Sequence, residues 1–199
     1  QSVAQVAGNL LVGAPAAWAI SRLRFRGRSM VRGLYIVLML LPFQVTMVPS
    51  YLVLRQFGLL DTPWAIILPG IFSTFPVFIM ERGFDTIPRE VLESASIDGA
   101  NQWQRFWRIG IPLGIPGLIS ALTLGFLDAW NAIEQPMTFL ESPQYWPLSL
   151  FFTDPANLDT KQLGLAMAAS LWMLLPSILV FRFGQTYLEA GLTKGAVKG

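Results

Sequence analysis

The chain of 199 residues contains no cysteine and no histidine, and only 13% of its residues are charged. The missing cysteines exclude disulfides and thiol nucleophiles, and the missing histidines exclude histidine-based metal sites and general bases. We therefore predict no catalytic residue, no metal site and no cofactor in this chain. Soluble domains carry about 25% charged residues, so the low charge and the 53% of hydrophobic residues indicate an integral membrane protein. The net charge of +2 is too small to predict a nucleic-acid partner.

Five apolar runs are each close to the roughly 20 residues that a helix needs to cross the hydrocarbon core of a bilayer. We predict spans at about 3–20, 34–54, 63–80, 111–133 and 163–183. Prolines and glycines within them are tolerated in membrane helices where neighbouring groups satisfy the freed backbone. The sequence thus predicts an all-α, polytopic transmembrane helical bundle, with residues 1–199 in a single domain.

The basic residues are distributed unequally between the segments that connect these spans. The loop after the first span contains SRLRFRGR, and cytoplasmic loops collect lysine and arginine. With this loop inside, alternation places residues 55–62 and 134–162 outside and the loop at 81–110 inside. Of the 14 basic residues, all but Arg55 and Lys161 then lie on the inner side. The pattern predicts a multi-pass protein of the cytoplasmic membrane with a cytoplasmic C-terminus.

One polar stretch, at 86–112, separates the apolar runs and reads TIPREVLESASIDGANQWQRFWRIGIP. Thr86 and Pro88 suit the start of a short helix that continues through Ile97, because a hydroxyl can accept an orphan N–H and proline tolerates the first turn. The Asp98–Gly99 pair then favours a sharp change of direction. On physical grounds alone, the stretch is an amphipathic connector whose tryptophans anchor it at the membrane surface.

A second short helix is predicted after this turn. Asn101 can cap it, with Gln104 three residues on in the capping-box position. Aromatic residues recur along one side of this helix, which is predicted to end near Pro112, where the next apolar run begins. The stretch is thus expected to form two short helices at an angle, projecting from the membrane with polar and aromatic surface.

The spacing within this stretch resembles the EAA loop of ABC-importer permeases. Glu93-Ser94-Ala95 is followed after three residues by Gly99, after nine more by Ile109, and after one more by Ile111-Pro112. The family pattern is Glu-Ala-Ala, three residues, Gly, nine residues, Ile, one residue, Leu-Pro. The chain departs from it at Ser94, in place of alanine, and at Ile111, in place of leucine. A motif of this length with fixed gaps is a specific signal.

The resemblance extends along nearly the whole chain to the MalG-like permeases of carbohydrate-type ABC importers. It is carried by the stretches SRLRFRGR, LLPFQVTMVPSYLVLRQFGLLDTPWAIILP, FDTIPREVLESASIDGA and GLTKGAVKG. It implies a transmembrane bundle of the MetI-like type in a bacterial cytoplasmic membrane. Members carry one further span before the portion seen here, so an N-terminal span is expected to be missing.

The resemblance implies that residues 83–112 form a cytoplasmic loop that docks on a separate ATPase. The coupling residues would be Glu93, Ala95, Asp98, Gly99, Ile109 and Pro112. The implied partners are a second permease subunit, two ATP-binding cassette subunits that hold ATP and Mg, an extracytoplasmic solute-binding protein, a sugar and membrane lipid. No G-x-x-x-x-G-K-[ST] loop occurs in this chain, so the energy is expected from the partner and the chain itself is not predicted to be an enzyme.

Four polar or aromatic side chains are candidates for the substrate path. The family has a Trp-Asn pair where this chain has Trp130 and Asn131, which could stack on a sugar ring and bond its hydroxyls. An interfacial tryptophan with a helix–helix hydrogen bond explains the same pair equally well. Asp128 lies in the same span, facing either a water-filled cavity or the outer solvent. Gln44 lies between two prolines where the second span could open toward a cavity.

Two other interpretations remain open from the sequence. The cargo of such a permease could be another small polar solute, a polyol or glycerol phosphate. An intramembrane enzyme or an autonomous channel is a different class, for which Asp128 and Glu134 are the obvious groups. The long outer segment at 135–161 is expected to meet the solute-binding protein, although a re-entrant loop would have similar composition.

Overall fold

The computed structural model describes residues 1–151 and 163–196, which form helices and connecting turns without a strand. The helices, in chain order, are α1 (Ser2–Arg22), α2 (Arg28–Leu40), α3 (Phe43–Gln56), α4 (Trp64–Ile71), α5 (Thr74–Asp85), α6 (Arg89–Ile97), α7 (Gln102–Arg105), α8 (Ile111–Asn131), α9 (Glu134–Phe139), α10 (Leu148–Phe151) and α11 (Leu163–Ala196). The predicted all-α class is confirmed. Parts of two predicted features, the outer segment at 152–161 and the C-terminal tail at 197–199, lie outside the described residues.

Three of the described helical segments are long and apolar enough to cross a membrane: Ser2–Arg22, Trp64–Asp85 and Gln102–Asn131. The pair α2 and α3 makes a fourth candidate if the two helices form one bent span. The last helix, α11, contains the range predicted for the fifth span. Each of the five predicted ranges therefore overlaps a helix or a helix pair.

The core lies where α1 packs between α5 and α8. Trp18 of α1 is 4% exposed and contacts the ring of Phe84 edge-on, with ring centroids 5.3 Å apart. Phe106, which is 2% exposed, completes this aromatic group at 5.8 Å from Trp18. Small residues of α1 and α8, Ala17 and Ala121, are fully buried beside it. Small and aromatic side chains together let the three helices approach closely.

Helices α5 and α8 cross with almost no side chain between them. A Cβ added at Gly83 would lie 2.7 Å from the Cα of Gly117, and one added at Gly117 would lie 2.5 Å from the Cα of Gly83. Both distances are shorter than real Cβ contacts, and the obstructing atoms are backbone. The absence of side chains at both positions therefore sets how closely these two helices approach.

Helices α2 and α3 meet at an angle of 103°, whereas the sequence predicts one span over 34–54. Leu41 and Pro42 adopt extended backbone at the corner, and proline has no N–H to continue the helix. Arg32 pairs with Glu81 near the end of α5, while Leu54 packs against α4 at the opposite end of the bundle. The pair therefore contacts both ends of the bundle, which favours a broken span over a re-entrant loop.

A charged cluster joins α2 to the end of the bundle that carries the arginine-rich loop. Glu81 is 2% exposed and forms an ion pair with Arg32, whose guanidinium also lies 3.2 Å from Asp85. The hydroxyl of Ser21 donates a hydrogen bond of 2.6 Å to Asp85. The network satisfies the buried carboxylate and ties α2 to α1 and α5 at this end.

At the opposite end, Asp61 joins the α3–α4 turn to the segment after α9. Its carboxylate accepts hydrogen bonds from the hydroxyl and N–H of Ser142, at 2.5 and 2.7 Å, and from the N–H of Glu141 at 2.9 Å. Its own N–H donates to the carbonyl of Phe139 at 2.9 Å. These bonds, the Ser142 hydroxyl first, hold the pKa of Asp61 below its ordinary value. They also hold the backbone of Asp61 at a φ of 54°, a conformation that residues other than glycine rarely adopt.

Candidate functional site

The first helix of the polar stretch is α6, Arg89–Ile97, and its predicted end at Ile97 is confirmed. The prediction that Thr86 caps it is wrong. Thr86 lies at the end of α5, and its hydroxyl donates to the carbonyl of Gly83 at 2.8 Å instead. Pro88 precedes α6 without a side-chain cap. The hydroxyl therefore closes the preceding helix, as serine and threonine side chains commonly do with a carbonyl one turn earlier.

The turn after α6 depends on Gly99, which has a φ of +82°. The N–H of Gly99 donates to the carbonyl of Ser96 at 3.2 Å, and the N–H of Ala100 donates to Ala95 at 2.9 Å. Glycine reaches this left-handed conformation without steric cost. Space around the position is open, since an added Cβ would meet no atom within 4 Å.

The second helix begins with the predicted capping box, which is confirmed. The side chain of Asn101 accepts from the N–H of Gln104 at 2.8 Å, and the side chain of Gln104 accepts from the N–H of Asn101 at 2.9 Å. The prediction that this helix ends near Pro112 is wrong. It continues through a π-helical turn at Phe106–Gly110 into α8, so that residues 102–131 form one segment.

The π turn explains why the helix passes Pro112. The N–H of Ile111 donates to the carbonyl of Phe106, five residues earlier, so the pairing has already changed before the proline. Pro112 then falls in the first turn of α8, where its missing N–H and fixed φ are tolerated. The stretch therefore contains one short helix, a turn and the start of a span, instead of two short helices.

The residues of the predicted coupling motif differ in exposure. Glu93, Asp98, Gly99 and Pro112 are exposed, Ala95 is half-buried, and Ile109 packs against the core. Among the side chains that the structure describes, neither Glu93 nor Asp98 has a partner in an ion pair. Ile97, at the end of α6, is 87% exposed. The turn thus presents unpaired charge and an apolar side chain to the solvent, a combination suited to a protein partner.

Phe106 connects the polar stretch to the core. Its ring lies 5.7 Å from Trp103 and 5.1 Å from Trp107, whereas the two tryptophans are 62% and 51% exposed. The sequence predicts an aromatic side on this helix, but not that Phe106 is the member that reaches Trp18. Because this ring is fixed in the core, displacement of the turn is resisted by the packing of α1, α5 and α8.

A cavity of about 1190 Å³ lies between α1, the α2–α3 corner, the α4–α5 break, α8 and α9. Pockets of about 300–1,000 Å³ hold a drug-sized ligand, so this volume is sufficient for an oligosaccharide of a few units. The cavity is lined by apolar side chains and by ten polar ones, namely Gln5, Asn9, Thr46, Ser50, Ser73, Thr74, Asp128, Asn131, Glu134 and Gln135.

Two of these polar residues, Gln5 and Asn9, come from α1, and sequence reasoning missed them. The Nδ2 of Asn9 donates to the carbonyls of Ile71 and Ser73, at 2.9 and 3.1 Å, across the break between α4 and α5. The Nε2 of Gln5 donates to the carbonyl of Ile66 at 2.9 Å. The signal in the sequence is a pair of amides four residues apart in an apolar run, which places both on one face of a helix.

The predicted substrate-path residues on α8 separate into two groups. Asp128 and Asn131 line the cavity, and both are exposed to it. Trp130 is absent from its lining within the described residues: its indole N–H donates to the carbonyl of Met173 in α11 at 3.0 Å, and its ring stacks on Phe126. This geometry favours the helix–helix interpretation of Trp130, and its stacking on a sugar stays a prediction.

Gln44 supports the cavity wall from the first turn of α3. Its Nε2 donates to both carboxylate oxygens of Glu134, at 3.0 and 2.9 Å, and Glu134 lines the cavity at the start of α9. Gln44 itself is not part of the described lining. The amide is neutral, so the bond orients Glu134 without adding a charge to the cavity wall.

A family model described as "Binding-protein-dependent transport system inner membrane component" matches residues 9–194. The inner membrane ABC transporter permease protein YcjP of Escherichia coli is 33% identical over 192 residues, covering 96% of this chain and 69% of that protein. The diacetylchitobiose uptake system permease protein DasC of Streptomyces coelicolor is 32% identical over 203 residues, covering 100% and 72%.

The fold is also similar to a solved structure. A chain of a bacterial ABC transporter involved in the import of the acidic polysaccharide alginate matches with a TM-score of 0.79 and 27% identity, covering 94% of this chain and 71% of that one. The chain thus spans roughly 70% of the length of these relatives. Sequence family, identity and fold agree, and the chain belongs to the inner membrane components of binding-protein-dependent transport systems, as a permease subunit of the ABC type.

Proposed function

We propose that this chain forms part of the route by which a sugar or oligosaccharide enters the cell, and that residues 83–112 dock on the ATPase that drives import. Two similar permeases support the cargo class by their names: one belongs to a diacetylchitobiose uptake system, and a lactose permease of Rhizobium radiobacter is 29% identical. The polar cavity has room for such a cargo.

The continuous segment Gln102–Asn131 is the observation that carries the coupling proposal. Its 30 residues rise about 45 Å, and it begins three residues after Gly99 and ends at the cavity wall. A helix transmits displacement along its axis with little bending. Movement of the turn when the ATPase subunits close on ATP therefore moves Asp128 and Asn131, and the cavity changes its access from one side of the membrane to the other.

The family supplies the general assembly, a binding protein and an ATPase acting with a membrane component. We propose the finer composition of one second permease, two ATP-binding subunits and one extracytoplasmic solute-binding protein. The turn at Gly99 then faces the cytoplasm. Helix α11 ends at the same side of the bundle, which supports a cytoplasmic C-terminus.

Co-purification with the ATPase tests the docking proposal, with Gly99→Asn as the variant. Asparagine tolerates the left-handed conformation at position 99, and the open space around it accepts the side chain, so the turn itself should survive. The added side chain would obstruct only a closely apposed partner. The matched control is Gly58→Asn, because Gly58 also has a positive φ, +66°, and open surroundings, but lies at the other end of the bundle.

We expect Gly99→Asn to reduce the ATPase recovered with the complex at least tenfold, while Gly58→Asn leaves it unchanged. Equal recovery with both variants would refute docking at this turn. The cargo is tested separately by uptake of labelled sugars into vesicles that hold the full assembly and its binding protein. ATP-dependent uptake of a saccharide supports the proposal, whereas uptake of non-carbohydrate solutes alone contradicts it.

A further inference from the structure

The cavity wall is rich in hydrogen-bond acceptors. Asp128 is exposed and lines the cavity, and none of the side chains and main-chain groups that the structure describes forms an ion pair or hydrogen bond with its carboxylate. Glu134 contributes a second carboxylate, held by Gln44. Ionised carboxylates accept hydrogen bonds and donate none, so the donors that satisfy them must come from water or from the cargo.

The lining holds no compensating positive charge. None of the cavity-lining residues within the described part of the chain is a lysine or an arginine. The basic residues of the Arg22–Arg28 loop lie at the other end of α1. Charge of one sign in the wall of a cavity concentrates ions of the opposite sign and repels ions of the same sign.

From the two carboxylates and the absence of lining cations we propose that the cavity is a charge filter, which admits uncharged saccharides and those bearing an ammonium group and repels uronates and sugar phosphates. Asp128 supplies the free charge and accepts hydrogen bonds from cargo hydroxyl or ammonium groups. The cargo in this inference rests on the proposed function. The charge selectivity rests on the cavity alone. The proposed charge preference differs from that expected for the similar solved structure, whose transporter is involved in the import of an acidic polysaccharide.

The absence of cysteine from this chain gives a direct test. A single reporter, Leu124→Cys, lies one helical turn before Asp128 on the cavity wall, about 5–6 Å away between Cβ atoms. In the full assembly in membrane vesicles, with other cysteines replaced, its modification rate is measured with trimethylammonioethyl and sulfonatoethyl methanethiosulfonate. Each rate is divided by the rate at which the same reagent modifies a small thiol in solution, because the two charged reagents differ in intrinsic reactivity. Thr46→Cys provides a second reporter on the α3 side if the first does not assemble.

We expect the cationic reagent to react at least about 10-fold faster than the anionic one. Asp128→Asn should bring this ratio close to one, while Glu141→Gln, which removes a carboxylate outside the described lining, should leave it unchanged. A rate ratio near 1 in the parent protein overturns the proposal. A preference for the cationic reagent that persists in both Asp128→Asn and Glu134→Gln overturns it as well.

The labelling needs neither ATP nor transport, so its result is independent of the proposed function. A chain that shows the charge preference but imports no saccharide refutes the function and leaves the filter. The cargo class is tested by comparing import of a uronate-bearing oligosaccharide with that of its uncharged analogue. Faster import of the uncharged analogue supports the proposal, and equal or faster import of the uronate overturns it.

Discussion

At the scale of single residues, the contact between Gly83 and Gly117 allows a sharp stability prediction. Gly117→Ala would put a Cβ 2.5 Å from backbone, which no side-chain rotation relieves. Overpacking of this kind costs about 1–3 kcal/mol. We expect a lower thermal unfolding midpoint in detergent. The control, Gly33→Ala, adds the same methyl group within a helix where nothing lies within 4 Å, and should be neutral or slightly stabilising. Equal midpoints for the two variants would contradict the close crossing.

Asp61 gives a prediction on pH. Its pKa is lower in the folded protein than the ordinary value of 3.8, so its hydrogen bonds stabilise the fold above that value and are lost as the pH falls through the folded pKa. Asp61→Asn removes this dependence. The difference in thermal midpoint between parent and variant should be constant near neutral pH and should shrink below about pH 4. A difference that grows on acidification would contradict the assignment.

At the scale of elements, α2 is held by the ion pair between Arg32 and buried Glu81. Arg32→Gln leaves buried Glu81 without its cation. Breaking a fully buried pair in this way costs about 3–5 kcal/mol, and a smaller loss is expected here because the Arg32 side chain is 33% exposed. We expect Arg32→Gln to lower the unfolding midpoint. The double variant Arg32→Gln/Glu81→Gln should recover most of the loss, because no uncompensated charge remains. If the double variant is no more stable than the single one, the ion pair is not what holds α2.

Elements that depend on neighbouring residues were predictable, and those that depend on distant ones were not. The Asn101–Gln104 capping box and the end of α6 follow from local spacing, which the sequence displays directly. The corner at Pro42 did not follow, because proline within a membrane helix is compatible with both a continuous and a broken span. The role of Thr86 was misjudged since its hydroxyl could serve either adjacent helix.

At the scale of the whole molecule, the continuous segment from the turn to the cavity predicts that a variant can bind the ATPase normally and still transport less cargo per ATP. Leu113 is 48% exposed in the first turns of α8. Leu113→Gly should destabilise the helix by about 1 kcal/mol relative to Leu113→Ala, and both variants remove the leucine side chain. We expect the glycine variant to bind the ATPase normally and to import cargo more slowly per ATP hydrolysed than the alanine variant. Identical transport-to-hydrolysis ratios in the two would show that α8 stiffness does not carry the coupling.

The class of molecule was readable from composition and from one motif, whereas the site was only partly readable. Asp128 is predictable as a cavity candidate because an ionisable group in a span is costly, whereas Asn131 follows from the resemblance to the family's Trp-Asn pair. The role of Trp130 could not be predicted, because its hydrogen-bond partner Met173 lies 43 residues away on another helix. Asn9 and Gln5 were overlooked although they carry the same polar signal, because the first span was interpreted only as a membrane crossing.

The α2–α3 pair and the α4–α5 pair are both interrupted, and residues from both interruptions line the cavity. Amide and carbonyl groups at a helix end cannot face hydrocarbon, so they require water or polar ligands at these points. Asn9 supplies two of these bonds, to the carbonyls of Ile71 and Ser73, and we expect water in the cavity to reach the remaining main-chain groups. Amides flanking 41–42 and 72–73 should exchange deuterium far faster than those in the middle of α8, although all belong to segments that cross the bilayer.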